Sequence, residues 1–113
     1  MCGGGEKVSF YIKRNDTAPS LEAQLIDAEG KPINLDMCGV RFLMKDGYGR
    51  VNINRPAAIV DASQGLVQVE WQEGDTSVAG VMKCEFEITF TDGKVLTVPN
   101  DGYFLIHIVE DLG

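Results

Sequence analysis

Between Met82 and Phe90 the chain alternates without a break. Met82, Cys84, Phe86, Ile88 and Phe90 are apolar, while Lys83, Glu85, Glu87 and Thr89 are polar. A period of two sends successive side chains to opposite faces, so one face enters a core and the other meets water. A helix, with its period of 3.6, would mix the two classes around its circumference. The segment is therefore a half-buried strand. Shorter versions of the pattern recur at 8–12, 21–25, 40–44, 51–53, 57–61, 67–71, 94–98 and 103–109. Turn-forming clusters separate them, among them Asp46-Gly47-Tyr48-Gly49, Asp92-Gly93 and Pro99-Asn100-Asp101-Gly102. Asp92-Gly93 between alternating runs is a hairpin signature. Ile33 and Leu35 form a short apolar hook, and Pro56 limits regular pairing after Val51–Ile53. No segment keeps a helical period over two turns. The 13 glycines among 113 residues fit a chain with many tight turns. The pattern predicts an all-β sandwich or small barrel of about nine short strands.

Acidic residues outnumber basic ones 17 to 10, for a net charge of -7. Such a surface repels a nucleic-acid duplex and an anionic membrane, so both are excluded as partners. The opening Met1-Cys2-Gly3-Gly4-Gly5-Glu6 has neither the basic nor the apolar region of a signal peptide. Residues 1–6 read as a flexible arm or cloning remnant, and residues 7–113 as one β-sandwich domain. The odd set Cys2, Cys38 and Cys84, without a secretion signal, is expected as reduced thiols in a cytoplasm. Trp71 comes long after Cys38 and shortly before Cys84, which is not the antibody-domain order, so Trp71 reads as core or strand-end packing and no Cys38–Cys84 bridge is expected.

The sequence carries no recognisable reactive constellation. His107 is the one histidine, the cysteines are isolated, and no metal-ligand spacing occurs. His107 mid-strand reads as a packed or rim side chain. Cys84 on an apolar strand face reads as inert packing rather than as a nucleophile. The acidic turns at Asp27, Glu29, Asp46, Asp92 and Asp101 complete no calcium loop and are read as turn chemistry, with calcium between loops the minor alternative. Lys13, Arg14, Arg41, Lys45, Arg50 and Arg55 are either one basic edge or, more simply, scattered solvated charges. No cofactor and no catalytic set is expected.

The last strand departs from the wet-face rule. Phe104, Ile106 and Ile108 share one face, yet the opposite face carries Tyr103, Leu105, His107 and Val109. That face is either covered within the monomer or meets another chain. Tyr103, Leu105 and Val109, with Tyr11, are the candidate protein-interface residues.

Several stretches taken in order resemble a phage family. Lys13-Arg14-Asn15-Asp16-Thr17-Ala18-Pro19-Ser20-Leu21 looks like "K-x-G-D-T-x-P-x-L", and Leu25 to Leu35 looks like "L-x-D-x-D-G-x-P-x-x-L". Val40-Arg41-Phe42-Leu43-Met44-Lys45-Asp46 is similar to "V-x-F-x-M-x-D", and Ala58 to Val67 to "A-x-I-V-D-x-x-x-G-x-V". Trp71, Gly74-Asp75-Thr76, Gly80, Glu85 to Phe90 and Asp92-Gly93 complete the set. Over roughly residues 8–112 the chain resembles the N-terminal domain of the BppU-type phage baseplate upper proteins, as a small stand-alone member. Asn15 replaces a frequent glycine of that pattern, and asparagine also tolerates a left-handed turn. The resemblance implies an immunoglobulin-like antiparallel β-sandwich in the virion of a tailed phage, made in the host cytoplasm. It would dock without catalysis onto the baseplate, tail, neck or capsid. Its implied partners are other phage structural proteins and further copies of itself. The alternative is a carbohydrate- or receptor-binding module at the virion surface, using Tyr48 and Trp71 as its aromatic residues. An enzyme is the least supported class.

Overall fold

The computed structural model describes residues 9–99 and 104–112. Nine strands and no helix occur among the described residues. They are β1 (Ser9–Lys13), β2 (Leu21–Gln24), β3 (Gly39–Lys45), β4 (Val51–Pro56), β5 (Ala58–Asp61), β6 (Leu66–Val69), β7 (Gly80–Thr89), β8 (Val95–Val98) and β9 (Phe104–Val109). The sequence expectation of an all-β sandwich of about nine strands describes this chain. Tyr103, Asp101, Cys2 and the 1–6 arm lie outside the described residues.

One sheet runs β1-β9-β7-β3-β4, with β8 also paired to β7, and the other runs β2-β6-β5. β7 is the spine of the larger sheet. Its first half, Gly80 to Cys84, pairs with β9, its second half, Phe86 to Thr89, pairs with β8, and β3 lies along its other side. The alternation read from the sequence explains this position. Met82, Cys84, Phe86 and Ile88 are all buried, while Lys83 and Thr89 on the opposite phase are exposed. The two expected hairpins form, β3–β4 around Asp46-Gly47-Tyr48-Gly49 and β7–β8 around Asp92-Gly93. One pairing departs from the expected antiparallel pattern. β1 runs parallel to β9, with Tyr11 opposite His107 and Lys13 opposite Val109. A parallel pair needs a long connection, and here nearly the whole chain supplies it.

Aromatic side chains join the layers. Phe42 of β3 lies 5.4 Å from Phe86 and 6.4 Å from Phe104 on its own sheet. Across the core it meets Trp71, two residues past β6, edge to face at 6.2 Å and 83°. Leu35 of the apolar hook is fully buried beside this core.

Polar contacts fix the loops at one end. Asn15 takes the left-handed conformation that its turn needs, with φ of 69°. Its N–H donates to the Thr76 carbonyl, and the buried Thr76 hydroxyl donates to the Asp16 carbonyl. Arg55 follows the inward phase of Ile53 but sits at the core margin, where its guanidinium donates to both Asp75 oxygens at 2.7 Å. The Gln72 amide donates to the same carboxylate. Edge strand β4 is thereby tied to the loop after β6.

Gly65 is the tightest backbone position. Its φ is +65°, and a Cβ there would stand 2.5 Å from the Leu25 carbonyl oxygen and 2.9 Å from that of Ile33. Both obstacles are backbone atoms, and the Leu25 oxygen is itself held in place, accepting from the Ile33 N–H. Gly93 has a similar φ of +87° but nothing within 4 Å. Gly93→Ala is expected to cost about 1 kcal/mol from backbone strain alone, and Gly65→Ala about 2–4 kcal/mol because a clash is added. Equilibrium urea unfolding measures both, and equal losses would show that the Gly65 clash relaxes freely.

Candidate functional site

Three of the four interface residues read from the sequence come together on the outer face of the larger sheet. β1, β9 and β7 are neighbours, and their outward phases align in register. Tyr11 faces His107, and His107 faces Val81 on its other side. The Tyr11 and His107 rings stack at 4.4 Å and 9°. Leu105 stands one row away, between Ser9 and Lys83, and Val109 stands opposite Lys13. Tyr11 is 63% exposed, Val81 48% and Val109 42%, while Leu105 and His107 are partly buried by their sheet neighbours. Tyr103, the fourth candidate, lies outside the described residues.

The sequence reading did not single out Val81. Its signal was present: Val81 continues the outward phase of Lys83, Glu85 and Glu87 and is the one apolar residue in it. Its importance comes from alignment with His107, which is a long-range pairing.

Charges border the apolar row. Lys83 faces Lys45 on β3, while Glu85 faces Leu43 and Glu87 faces Arg41. Arg41 Nε donates to Asn54 Oδ1 at 2.8 Å. Lys13, Arg14, Arg41, Lys45, Arg50 and Arg55 do not form one edge. Lys13, Arg41 and Lys45 share the outer phase of the sheet. Arg14 instead pairs with Asp111 and Glu110, Arg50 with Asp46, and Arg55 with Asp75.

The acidic turns are turn chemistry. Asp27 Oδ1 accepts from the Glu29 and Lys31 amides, and Asp92 Oδ1 from the Lys94 amide. Asp46 Oδ1 accepts from the Tyr48 and Arg50 amides, and its Oδ2 accepts from Arg50 Nε at 3.0 Å. Among the described residues no group of three His, Cys, Asp or Glu side chains is placed to share a metal ion.

The two thiols among the described residues have structural surroundings. Cys84 is fully buried on the inner face of β7. Burial, helped by the nearby Asp36 charge, pushes the Cys38 thiol up, which disfavours the nucleophilic thiolate. Trp71 is 5% exposed and packs against Phe10 and Phe42. This is the core packing expected of Trp71, and it leaves Tyr48 as the aromatic of the sugar-binding alternative. His107 stacks on Tyr11 within an apolar row, with no nucleophile among its ring and register partners.

No protein-family model matches the chain, and no curated protein matches it significantly. Among solved structures, CopC from Methylosinus trichosporium OB3b superposes with a TM-score of 0.57 over 93% of this chain and 87% of that chain, at 10% identity. At this identity the likeness shows the β-sandwich fold and nothing finer.

The Asp46 turn carries a pH signature. The Arg50 amide, then the Tyr48 amide and the Arg50 side chain, hold its carboxyl below the usual carboxylate range. A depressed folded-state pKa means that the turn is fully supported at neutral pH and above. Its support fades as pH falls through the lowered value. An NMR titration of the Tyr48 and Arg50 amides should show midpoints below the usual aspartate range, and Asp46→Asn should abolish the transition. Midpoints at or above that range would contradict the assigned hydrogen bonds.

Proposed function

We propose that this chain is a non-catalytic structural or assembly protein of a tailed-phage virion. Its sandwich docks onto the baseplate, tail, neck or capsid through the outer face of β1, β9 and β7. The observation that carries the reading is the exposed apolar row on that face, Tyr11 and Val81 flanking His107, with Leu105 and Val109 beside it. A sheet face exposed to water is ordinarily polar along the strand, and a clustered apolar exception marks a contact surface. The sequence resemblance to the baseplate upper proteins supplies the setting. Repeated copies in a symmetric particle turn one modest patch into a strong attachment. The partners are other virion proteins, and the place of action is the assembled particle.

Immunogold electron microscopy of purified particles, with an antibody to this chain, tests the setting. Label at the tail tip supports a baseplate position, and label at the head or neck supports a decoration or connector role. Particles that carry no label, with the epitope intact, overturn the virion reading. The surface is tested by Leu105→Lys and Val109→Lys together. Incorporation should fall about tenfold or more, because two ammonium groups enter a desolvated contact. Normal incorporation of the folded double variant would remove this face from docking.

A further inference from the structure

A further exposed apolar cluster lies at one end of the sandwich and meets the docking face at Val81, which belongs to both. There the β3–β4 turn, the start of β4 and the segment leading into β7 enclose an open groove of about 870 Å³. Tyr48, Val51, Val78 and Val81 line it. They are 87%, 54%, 67% and 48% exposed. None of the four serves the core at that exposure, and single exposed apolar side chains would need no account, whereas four in one groove do.

The groove also has an unused cationic fork. The Asp46 turn holds Arg50 through Nε, which places the guanidinium 5.4 Å from the Tyr48 ring centre. Among the described residues that Nε bond is the one hydrogen bond the Arg50 side chain makes. Its two terminal nitrogens remain available for a carboxylate.

The chemistry that fits this groove is present at the same end of the molecule. Ile108 stands opposite Gly80, so the segment from Val109 to Leu112 emerges beside the start of β7. That segment is acidic and apolar: Glu110 and Asp111 precede Leu112, whose side chain is fully exposed. Arg14 holds it on the β1 side of its own chain, 3.1 Å from Asp111 and 3.7 Å from Glu110. A molecule's own segment is thus anchored beside β1, while its own groove lies beyond the start of β7.

We propose that two copies of this chain associate end to end about a two-fold axis, each placing Leu112 in the groove of the other and Glu110 on the other's Arg50. Because segment and groove share one end, a two-fold operation satisfies both at once and closes the assembly at a dimer. Each copy carries a charge of -7, which opposes association, so the apolar contact has to outweigh that repulsion. The inference is independent of the virion setting, because the purified chain alone tests it.

Sedimentation velocity of the 113-residue chain should show a concentration-dependent monomer–dimer equilibrium. Val78→Asp and Leu112→Asp should each weaken it about tenfold or more, since every contact occurs twice in the interface. Arg50→Glu should weaken it too, and adding Glu110→Arg to that variant should restore it. Leu105→Lys, on the outer face, should leave the dimer intact, which separates this contact from virion docking. Circular dichroism confirms that each variant is folded. A chain that stays monomeric to about 1 mM overturns the proposal, because contacts weaker than that fall below about 4 kcal/mol of association. So does a dimer that ignores Val78→Asp and Leu112→Asp or fails with Leu105→Lys. A monomer whose groove takes up an added acidic peptide would also count against a second copy.

Discussion

The contact between Phe42 and Trp71 holds the two layers to each other. The larger sheet carries Phe42, Phe86 and Phe104 as a continuous aromatic patch, and Trp71 is the aromatic that reaches Phe42 from beyond β6. Edge-to-face pairs contribute about 0.5–1.5 kcal/mol beyond the area they bury. β2, β5 and β6 are only four residues each, too short to make an independent sheet. The smaller layer therefore depends on what it packs against, and Leu21, Val67 and Val69 of its own strands, with Trp71 and Leu35, supply that packing.

Most of the polar chemistry in the chain is spent on its own backbone. Asp27, Asp46 and Asp92 cap turns, and Asp75 accepts from Arg55 and the Gln72 amide together. Carboxylate oxygens held in this way are committed to the geometry of their turns and loops. An acid-rich sequence can thus fold without assembling a reactive site. What remains for recognition is shape and apolar surface, which is why the functional argument falls on Tyr11, Val81 and their neighbours rather than on any titratable cluster.

The strands were legible because each carries its own period. β7 could be read residue by residue, and both hairpins followed from Asp-Gly turns between alternating runs. The aspartates could be assigned to turns for the same local reason. Pairing between distant strands was not legible. Nothing in Ser9–Lys13 announces that it lies beside β9, because alternation fixes which face a residue takes but not which strand is its neighbour. Trp71 shows the same limit: a tryptophan next to a polar loop suits either a binding platform or a core, and burial against Phe10 and Phe42 decides it.

The parallel return of β1 is what turns the last strand's second apolar face into a surface. Had β9 been the sheet edge, Leu105 and His107 would flank an open ladder, and further strand pairing would be the expected outcome. With β1 alongside, the ladder is occupied and Tyr11 covers the His107 ring. The apolar character is thereby moved from the edge of the sheet to its face. A face binds by side-chain packing, which is specific to shape, whereas an open edge accepts almost any extended segment. Placing Tyr11 against His107 across 96 residues of sequence thus moves the open edge from β9 to the five-residue β1 and leaves the apolar row on the sheet's face.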